Sequence, residues 1–193
     1  MKRSESRILT THTGSLPRSP ELQELLRSRL DPKDGEAEEF RTGVDEGVAD
    51  VVAKQAEIGI DVINDGEQGR VQYATYVKDR LHGFDGEQVL RARPRLDMVD
   101  FPEFATQSGV SSSSTIPWPA CTGPISWKDK DAVQRDIQRL KNATSGVETE
   151  EVFMTAASPG VIANFLPNEH YPSEEEYLYA LADVMKDDCK AIV

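Results

Sequence analysis

The run Gly59-Ile60-Asp61-Val62-Ile63-Asn64-Asp65-Gly66-Glu67-Gln68-Gly69-Arg70 decides how the chain is read. A glycine closes what precedes it, β-prone residues at Val62 and Ile63 make a short strand, and Gly66 ends that strand in a polar loop. Before it, Glu36 to Ile58 places Phe40, Val44, Val48, Val51, Val52 and Ala56 near helical spacing, which predicts a long amphipathic helix stopping at Gly59. Upstream again, Ile8 to Thr11 is a β-prone run stopping at Gly14, and Leu16-Pro17-Arg18-Ser19-Pro20 leads into a polar helix around Glu21 to Leu30. Strand, loop, helix and then strand is the grammar of β/α units.

The pattern recurs downstream. Ile116 to Cys121 reads as a strand closed by Thr122-Gly123-Pro124, followed by helical character from Lys130 to Ala143 with Val133, Ile137 and Leu140 on one face. Glu151 to Ala156 is the next strand, broken by Ser158-Pro159-Gly160. Ser173 then N-caps a last helix, with Glu176 completing a capping box and Tyr177, Leu178, Leu181, Val184, Met185 and Ile192 as its apolar stripe. Between Val71 and Ser114 the signals weaken to a turn at Gly83-Phe84-Asp85-Gly86 and a serine run, read as an excursion on one rim. Four strands separated by helical stretches predict an α/β protein with a parallel sheet.

Composition limits function. The 193 residues carry 22 basic against 34 acidic side chains, a net charge of −12 spread along the chain, which argues against nucleic acid and anionic membranes as partners. No run approaches the roughly 20 apolar residues of a membrane span. Cys121 and Cys189 form no CxxC pair, and the N-terminus lacks a signal-peptide core, so a cytoplasmic protein with reduced thiols is expected.

Parallel β/α architectures bind ligands at the C-terminal ends of their strands. Four clusters fall there: His12-Thr13-Gly14-Ser15, Asn64-Asp65-Gly66-Glu67, Cys121-Thr122-Gly123-Pro124 and Ala157-Ser158-Pro159-Gly160. Each joins small residues, which let a ligand approach the backbone, to a polar group that can fix it. Each also has a plainer reading. Ser15 can cap its own turn, Glu67 can be a solvated carboxylate or a partner of Arg70, His12 can be a hydrogen-bonded rim residue rather than a metal ligand, and Cys121 can be a small buried apolar group. His170 belongs to the loop before the last helix.

The strings Thr10 to Arg18, Gly59 to Arg70, Thr122 to Ser126 and Ala157 to Phe165 resemble, in this order, the catalytic domain of the cobalamin-independent methionine synthase family, and more closely its short single-barrel paralogues. The resemblance implies a (β/α)8 TIM barrel. Residues 1–193 would be one partial barrel domain of about four β/α units with an inserted excursion around 71–115, cut short at the C-terminus. It implies a zinc-dependent S-methyltransferase of methionine biosynthesis, moving a methyl group from a methylated folate to the thiolate of homocysteine. Gly14, Ser15 and Glu67 would hold the amino-acid end of the thiol substrate, and Thr122, Gly123 and Trp127 would face the folate.

The family's His-x-Cys zinc motif is not found before Val193, so zinc ligands are expected beyond it and this chain alone is expected to be inactive. Asn64-Asp65 and Gln68-Gly69-Arg70 depart from the synthase pattern beside Glu67, which leaves open a paralogue acting on another thiol, such as an epoxide:coenzyme M transferase. A non-catalytic small-molecule-binding fragment and a barrel decarboxylase are the alternatives from other classes. Half a barrel leaves strand edges unpaired, so self-association or a C-terminal half-barrel is the expected protein partner.

Overall fold

In the computed structural model, residues 2–28, 37–74, 76–84, 100–103 and 119–193 are described. Helix α1 spans Pro20–Ser28 and α2 spans Ala37–Glu57, each within a few residues of its expected bounds. Along α2, Val44, Val48 and Val52 are buried at a spacing of four, with Phe40 packed beside them. They meet Leu22 and Leu26 of α1. Each such side chain gains about 1.5–3 kcal/mol on burial, so this ladder outweighs intrinsic propensity in fixing the helix. Gly59 then stops α2 as read: its φ is 82°, its N–H donates to Ala56 O at 3.0 Å, and Ile60 N–H reaches back to Gln55 O at 2.9 Å. That double bond pattern is a Schellman cap.

Strand β1 (Val62–Ile63) pairs in parallel with β4 (Glu151–Val152), and Thr11 forms a parallel bridge to Val62 on the other side. Flanking bonds from Val62 N to Thr10 O and from Phe153 N to Ile63 O extend the ladder. Three chain passes therefore lie side by side in sequence order, with α1 and α2 between the first two. Helix α4 (Ala132–Thr144) precedes the third, burying Val133 and Leu140 as its spacing predicts.

Here the expectation of four consecutive parallel strands needs correction. The segment ending at Cys121 does not lie between β1 and β4, because those two pair directly; Cys121 instead bridges Asn168. Ile116 to Trp118 of that segment lie outside the described residues, as does most of the 71–115 excursion. What is described of the excursion holds α3 (Val77–Arg80) and an antiparallel pair that the sequence did not announce, β2 (Leu81–His82) with β3 (Ser126–Trp127). Two-residue strands are too short to show alternation.

Beyond β4, Ser158 caps α5 (Pro159–Phe165), its Oγ accepting Val161 N–H, so the Ser-Pro-Gly break is a helix start with proline at the first turn. Helix α6 spans Glu174–Ile192, and Ser173 Oγ accepts the Glu176 N–H at 3.1 Å as expected. Its buried stripe is Tyr177, Leu181 and Met185, while Leu178 is exposed and Asp188 is buried. The stripe thus follows a spacing of four, which leaves Leu178 on the outer face and carries a carboxylate inward. Two apolar clusters result, one under α1, α2 and α4, the other uniting Leu81 and Phe84 with Ile162, Leu166, Tyr177 and Leu181. No helix among the described residues is long and apolar enough to cross a membrane.

Burial holds the Asp188 carboxyl above the usual aspartate range, with the Arg80 guanidinium pulling the other way. The folded state therefore binds this proton more tightly than the unfolded chain. The resulting stability is complete below the unfolded value, about pH 4, and is lost as pH rises through the folded value. Asp188→Asn is accordingly expected to raise the melting temperature near neutral pH and to lose that gain as the pH is lowered toward about 4. A variant less stable than the parent at neutral pH would show that attraction to Arg80 outweighs burial.

Candidate functional site

The loops after the first two parallel strands are sewn together by a buried amide. Gln55, in the last turn of α2, donates Nε2–H to Asn64 O at 2.8 Å and accepts Asn64 N–H at 3.2 Å, standing in for a strand neighbour. Asn64 in turn donates Nδ2–H to His12 O at 2.6 Å and accepts Gly66 N–H at 2.8 Å. Leu16 N–H reaches Gly66 O at 3.0 Å. The end of β1 is thereby fixed against both α2 and the preceding loop.

From Asp65 the chain turns through two consecutive left-handed residues, Gly66 at φ 58° and Glu67 at φ 55°, closed by Gln68 N–H to Asp65 O at 3.3 Å. Positive φ at both central positions is the signature of a primed type I turn, which favours Gly, Asn and Asp. Glycine fits the first position for a second reason, since a Cβ there would meet Leu16 Cβ at 3.0 Å. Glutamate at the second is uncommon, and Glu67 is the described non-glycine residue with positive φ. Strain of this kind, of order 1–3 kcal/mol, persists only where surroundings over-determine it.

Those surroundings converge on the carboxylate. Ser15 donates its hydroxyl to Glu67 Oε2 at 2.7 Å, Thr155 donates to Oε1 at 3.1 Å, and Arg70 Nη1 lies 3.9 Å from Oε1. Arg70 also binds Thr155, through Nη1 to Oγ1 at 2.8 Å and Nη2 to the carbonyl at 2.5 Å. Glu67 and Arg70 are only 6% and 5% exposed, which excludes the reading of Glu67 as a solvated loop carboxylate. Ser15, Glu67 and Thr155 follow the first, second and third parallel strands respectively, so one carboxylate gathers three strand ends. Beside it, burial raises Asp65 above the usual aspartate range, opposed by Arg70 and by the Glu67 N–H that Asp65 Oδ1 accepts at 3.0 Å.

Of the sequence candidates, Gly14, Ser15 and Glu67 come together here, Gly14 contributing a left-handed turn at φ 97°. His12 lies alongside with Nε2 3.1 Å from Gly14 O, the hydrogen-bonded rim position that was its plainer reading. Thr122, Gly123 and Trp127 form a separate group. Thr122 and Gly123 donate backbone N–H to Gly83 O at 2.9 and 3.3 Å, and Trp127 is half-buried in β3 opposite Leu81. Among the described residues no hydrogen bond or ion pair joins the two groups directly. Between them stands Tyr76, with Arg70 and Arg80 each 4.8 Å from its ring centroid, and Arg80 O accepts the N–H of Lys128 next to Trp127.

Cys121 is fully buried with its thiol donating to Gly123 O at 3.4 Å, and burial pushes that thiol up to about 11, so it is an inert core group. His170 is exposed in the loop before α6, as read.

The sequence does not single out Arg18, Gln55 or Thr155, and offers Arg70 only as the ion-pair partner in the plainer reading of Glu67. Nothing local marks Thr155, past the end of β4, as a partner of residues 85 and 88 positions away, or a glutamine in a helix as the partner of strand backbone nine positions on. An open groove of about 720 Å³ between α1 and α2 is rimmed by acids including Glu21, Glu38, Glu46 and Asp50, with Gln68 in its lining and Glu67 not.

Thr155→Val keeps the shape of the side chain and removes both its bond to Glu67 and its acceptor for Arg70. Urea unfolding is expected to show a loss of about 1–3 kcal/mol with an unchanged slope. An unchanged midpoint would mean that Thr155 is dispensable to the network.

Residues 8–91 match the family described as the cobalamin-independent synthase, catalytic domain. A methionine synthase of Sulfolobus acidocaldarius is 26% identical over 184 residues, 95% of this chain and 48% of the relative. A 5-methyltetrahydropteroyltriglutamate–homocysteine methyltransferase of Yersinia enterocolitica is 36% identical over 77 residues, 39% of this chain and 10% of the relative. In structure, a B12-independent methionine synthase from a Shewanella species, solved with selenomethionine, superposes with a TM-score of 0.69 at 23% identity, covering 95% of this chain and 47% of that one. The structure of a protein from Listeria monocytogenes described as a putative vitamin-B12-independent methionine synthase gives 0.60 at 21% identity, covering 96% and 49%. The chain spans about half the length of the relatives that it matches most fully. Over residues 8–91 the chain is thus similar in sequence to the catalytic domain of the cobalamin-independent synthase, and along nearly its whole length it shares the fold of about half of a B12-independent methionine synthase.

Proposed function

We propose that the chain forms the thiol-substrate side of an S-methyltransferase of the methionine synthase type, one partial (β/α)8 barrel domain over residues 1–193. The observation that carries the reading is the meeting of Ser15, Glu67 and Thr155 at the ends of three neighbouring parallel strands, where such architectures bind small molecules. A buried carboxylate satisfied by hydroxyls can exchange one of them for a ligand ammonium, which forms a stronger, charge-assisted bond. In this reading Glu67 takes the amino group of homocysteine or its methylated product, and Gly14 and Ser15 offer backbone and hydroxyl to the substrate carboxylate. Thr122, Gly123 and Trp127 face the methylated folate. The names of the Sulfolobus and Yersinia relatives support this activity, and the Shewanella neighbour, solved with selenomethionine, supports an amino-acid ligand of this shape.

The residues present do not fit a catalytic zinc. All three histidines and both cysteines lie among the described residues, yet among those residues no group of three His, Cys, Asp or Glu is placed to hold a metal ion. Any zinc that activates the thiol needs ligands from outside the described residues, and the steps assigned to this chain are binding and orientation of the amino-acid end. The remaining strands belong to the same proposal, from a second copy or a complementary half-barrel, as does a cytoplasmic location. The unmet zinc requirement favours one second reading, in which the chain binds the amino acid without catalysing transfer.

Calorimetry of the purified chain with methionine, beside elemental analysis, tests this. Binding is expected in the parent and a loss of about tenfold or more in Glu67→Gln, which keeps the shape and one acceptor oxygen and removes the charge. No stoichiometric zinc is expected. Equal affinity in both forms would refute Glu67 as the ammonium partner, and one tightly held zinc per chain would overturn the ligand reading.

A further inference from the structure

Arg18 falls in the run Leu16-Pro17-Arg18, which the sequence marks only as a lead into α1. Its guanidinium instead turns back onto the Glu67 loop. Nη2 donates to the carbonyls of Glu67 at 2.7 Å and Arg70 at 2.9 Å, and Nε donates to that of Gln68 at 3.2 Å. Among the described residues no carboxylate lies within ion-pair distance of it, so this half-buried cation is committed to backbone oxygens. The carbonyls of Glu67, Gln68 and Arg70 that it collects follow directly on the left-handed turn at Gly66 and Glu67. The planar, multi-donor fork of arginine matches such a set, whereas the point charge of lysine does not.

We propose that Arg18 is a positioning residue for the ligand site: it clamps the turn from Glu67 to Arg70 and so holds the Glu67 carboxylate toward Ser15, Thr155 and the ligand ammonium. The inference rests on the reading of Glu67 as the ammonium partner. The clamp explains how a glutamate stays at a position suited to glycine or asparagine. Rotating Glu67 out of the left-handed region would turn its carbonyl away from Nη2 and carry the carboxylate off Ser15. The neighbouring Gln68 closes the same junction, its uncharged Nε2 amide lying 3.2 Å from Leu16 O and 3.4 Å from Pro17 O and Gly66 O.

The test uses the full chain with Arg18→Lys and Arg18→Ala, read by melting temperature, by backbone amide resonances and by methionine calorimetry. Arg18→Lys is expected to melt within a few degrees of the parent and to shift or broaden the amides of Gly66 to Arg70 while leaving those of α6 in place. Methionine affinity should fall about tenfold or more. Arg18→Ala should move loop and affinity further in the same direction. A merely structural arginine would lower the melting temperature and leave loop amides and affinity of the folded protein unchanged, and that result would overturn the proposal. If Glu67→Gln retains affinity while Arg18→Lys still displaces the loop, the ammonium reading fails and the clamp stands. If Glu67→Gln loses affinity and Arg18→Lys does not, the clamp fails alone.

Discussion

A single buried carboxylate organises the strand ends of this protein. Glu67 is almost wholly out of solvent, sits in a backbone conformation that a glutamate seldom adopts, and is reached by hydroxyls from two other strand ends and by a guanidinium at 3.9 Å. A carboxylate in that setting is costly unless every lone pair is met, because burial withdraws its hydration. Its partners are therefore constrained in turn: Thr155 must donate to Glu67 and accept from Arg70, and Arg70 must spend its second nitrogen on the Thr155 carbonyl. Satisfying Glu67 fixes the relative height of three strands.

Charge continues inward from there. The Tyr76 ring lies between the Arg70 and Arg80 guanidinium groups, and Arg80 is paired with Asp136 of α4, which also binds Arg139 at 2.8 Å; Arg139 pairs with Asp45 of α2. The relay runs from the Glu67 loop to the helical layer without interruption. It also carries the position of the Glu67 loop toward the β2–β3 pair, whose Lys128 N–H is held by Arg80 O. Thr122, Gly123 and Trp127 are thus related to Ser15 and Glu67 through packed charge and an aromatic ring.

Local physics made much of this legible in advance. Gly59 stops α2, Ser173 caps α6, and the spacing of Val44, Val48 and Val52 gives the buried face, because each depends on residues within one or two turns. Ser15 and Glu67 were paired by family resemblance and by the rule that strand ends face ligands. The partners that complete the site were not legible. Thr155 acts across 85 and 88 positions, Gln55 acts through side-chain bonds to strand backbone that helical spacing does not record, and Arg18 looked like part of a loop. The antiparallel contact of Leu81 and His82 with Trp127 and Ser126 was hidden by its brevity, and this displaced the Cys121 segment from its expected place in the parallel order. In α6 the choice between Leu178 and Asp188 for the inner face was decided by what α6 packs against, including Arg80, which hydropathy alone does not record.

In the function proposed above, the Glu67 carboxylate, held by Ser15 and Thr155, is the recognition point for a sulfur-bearing amino acid. A crystal of this chain soaked with selenomethionine tests it directly, because anomalous scattering locates selenium without reference to any assumed pose. The account predicts one selenium peak above the ends of the three parallel strands, with the ligand ammonium within hydrogen-bond distance of Glu67. A peak in the acidic groove between α1 and α2, or an amino group bound away from Glu67, would contradict it.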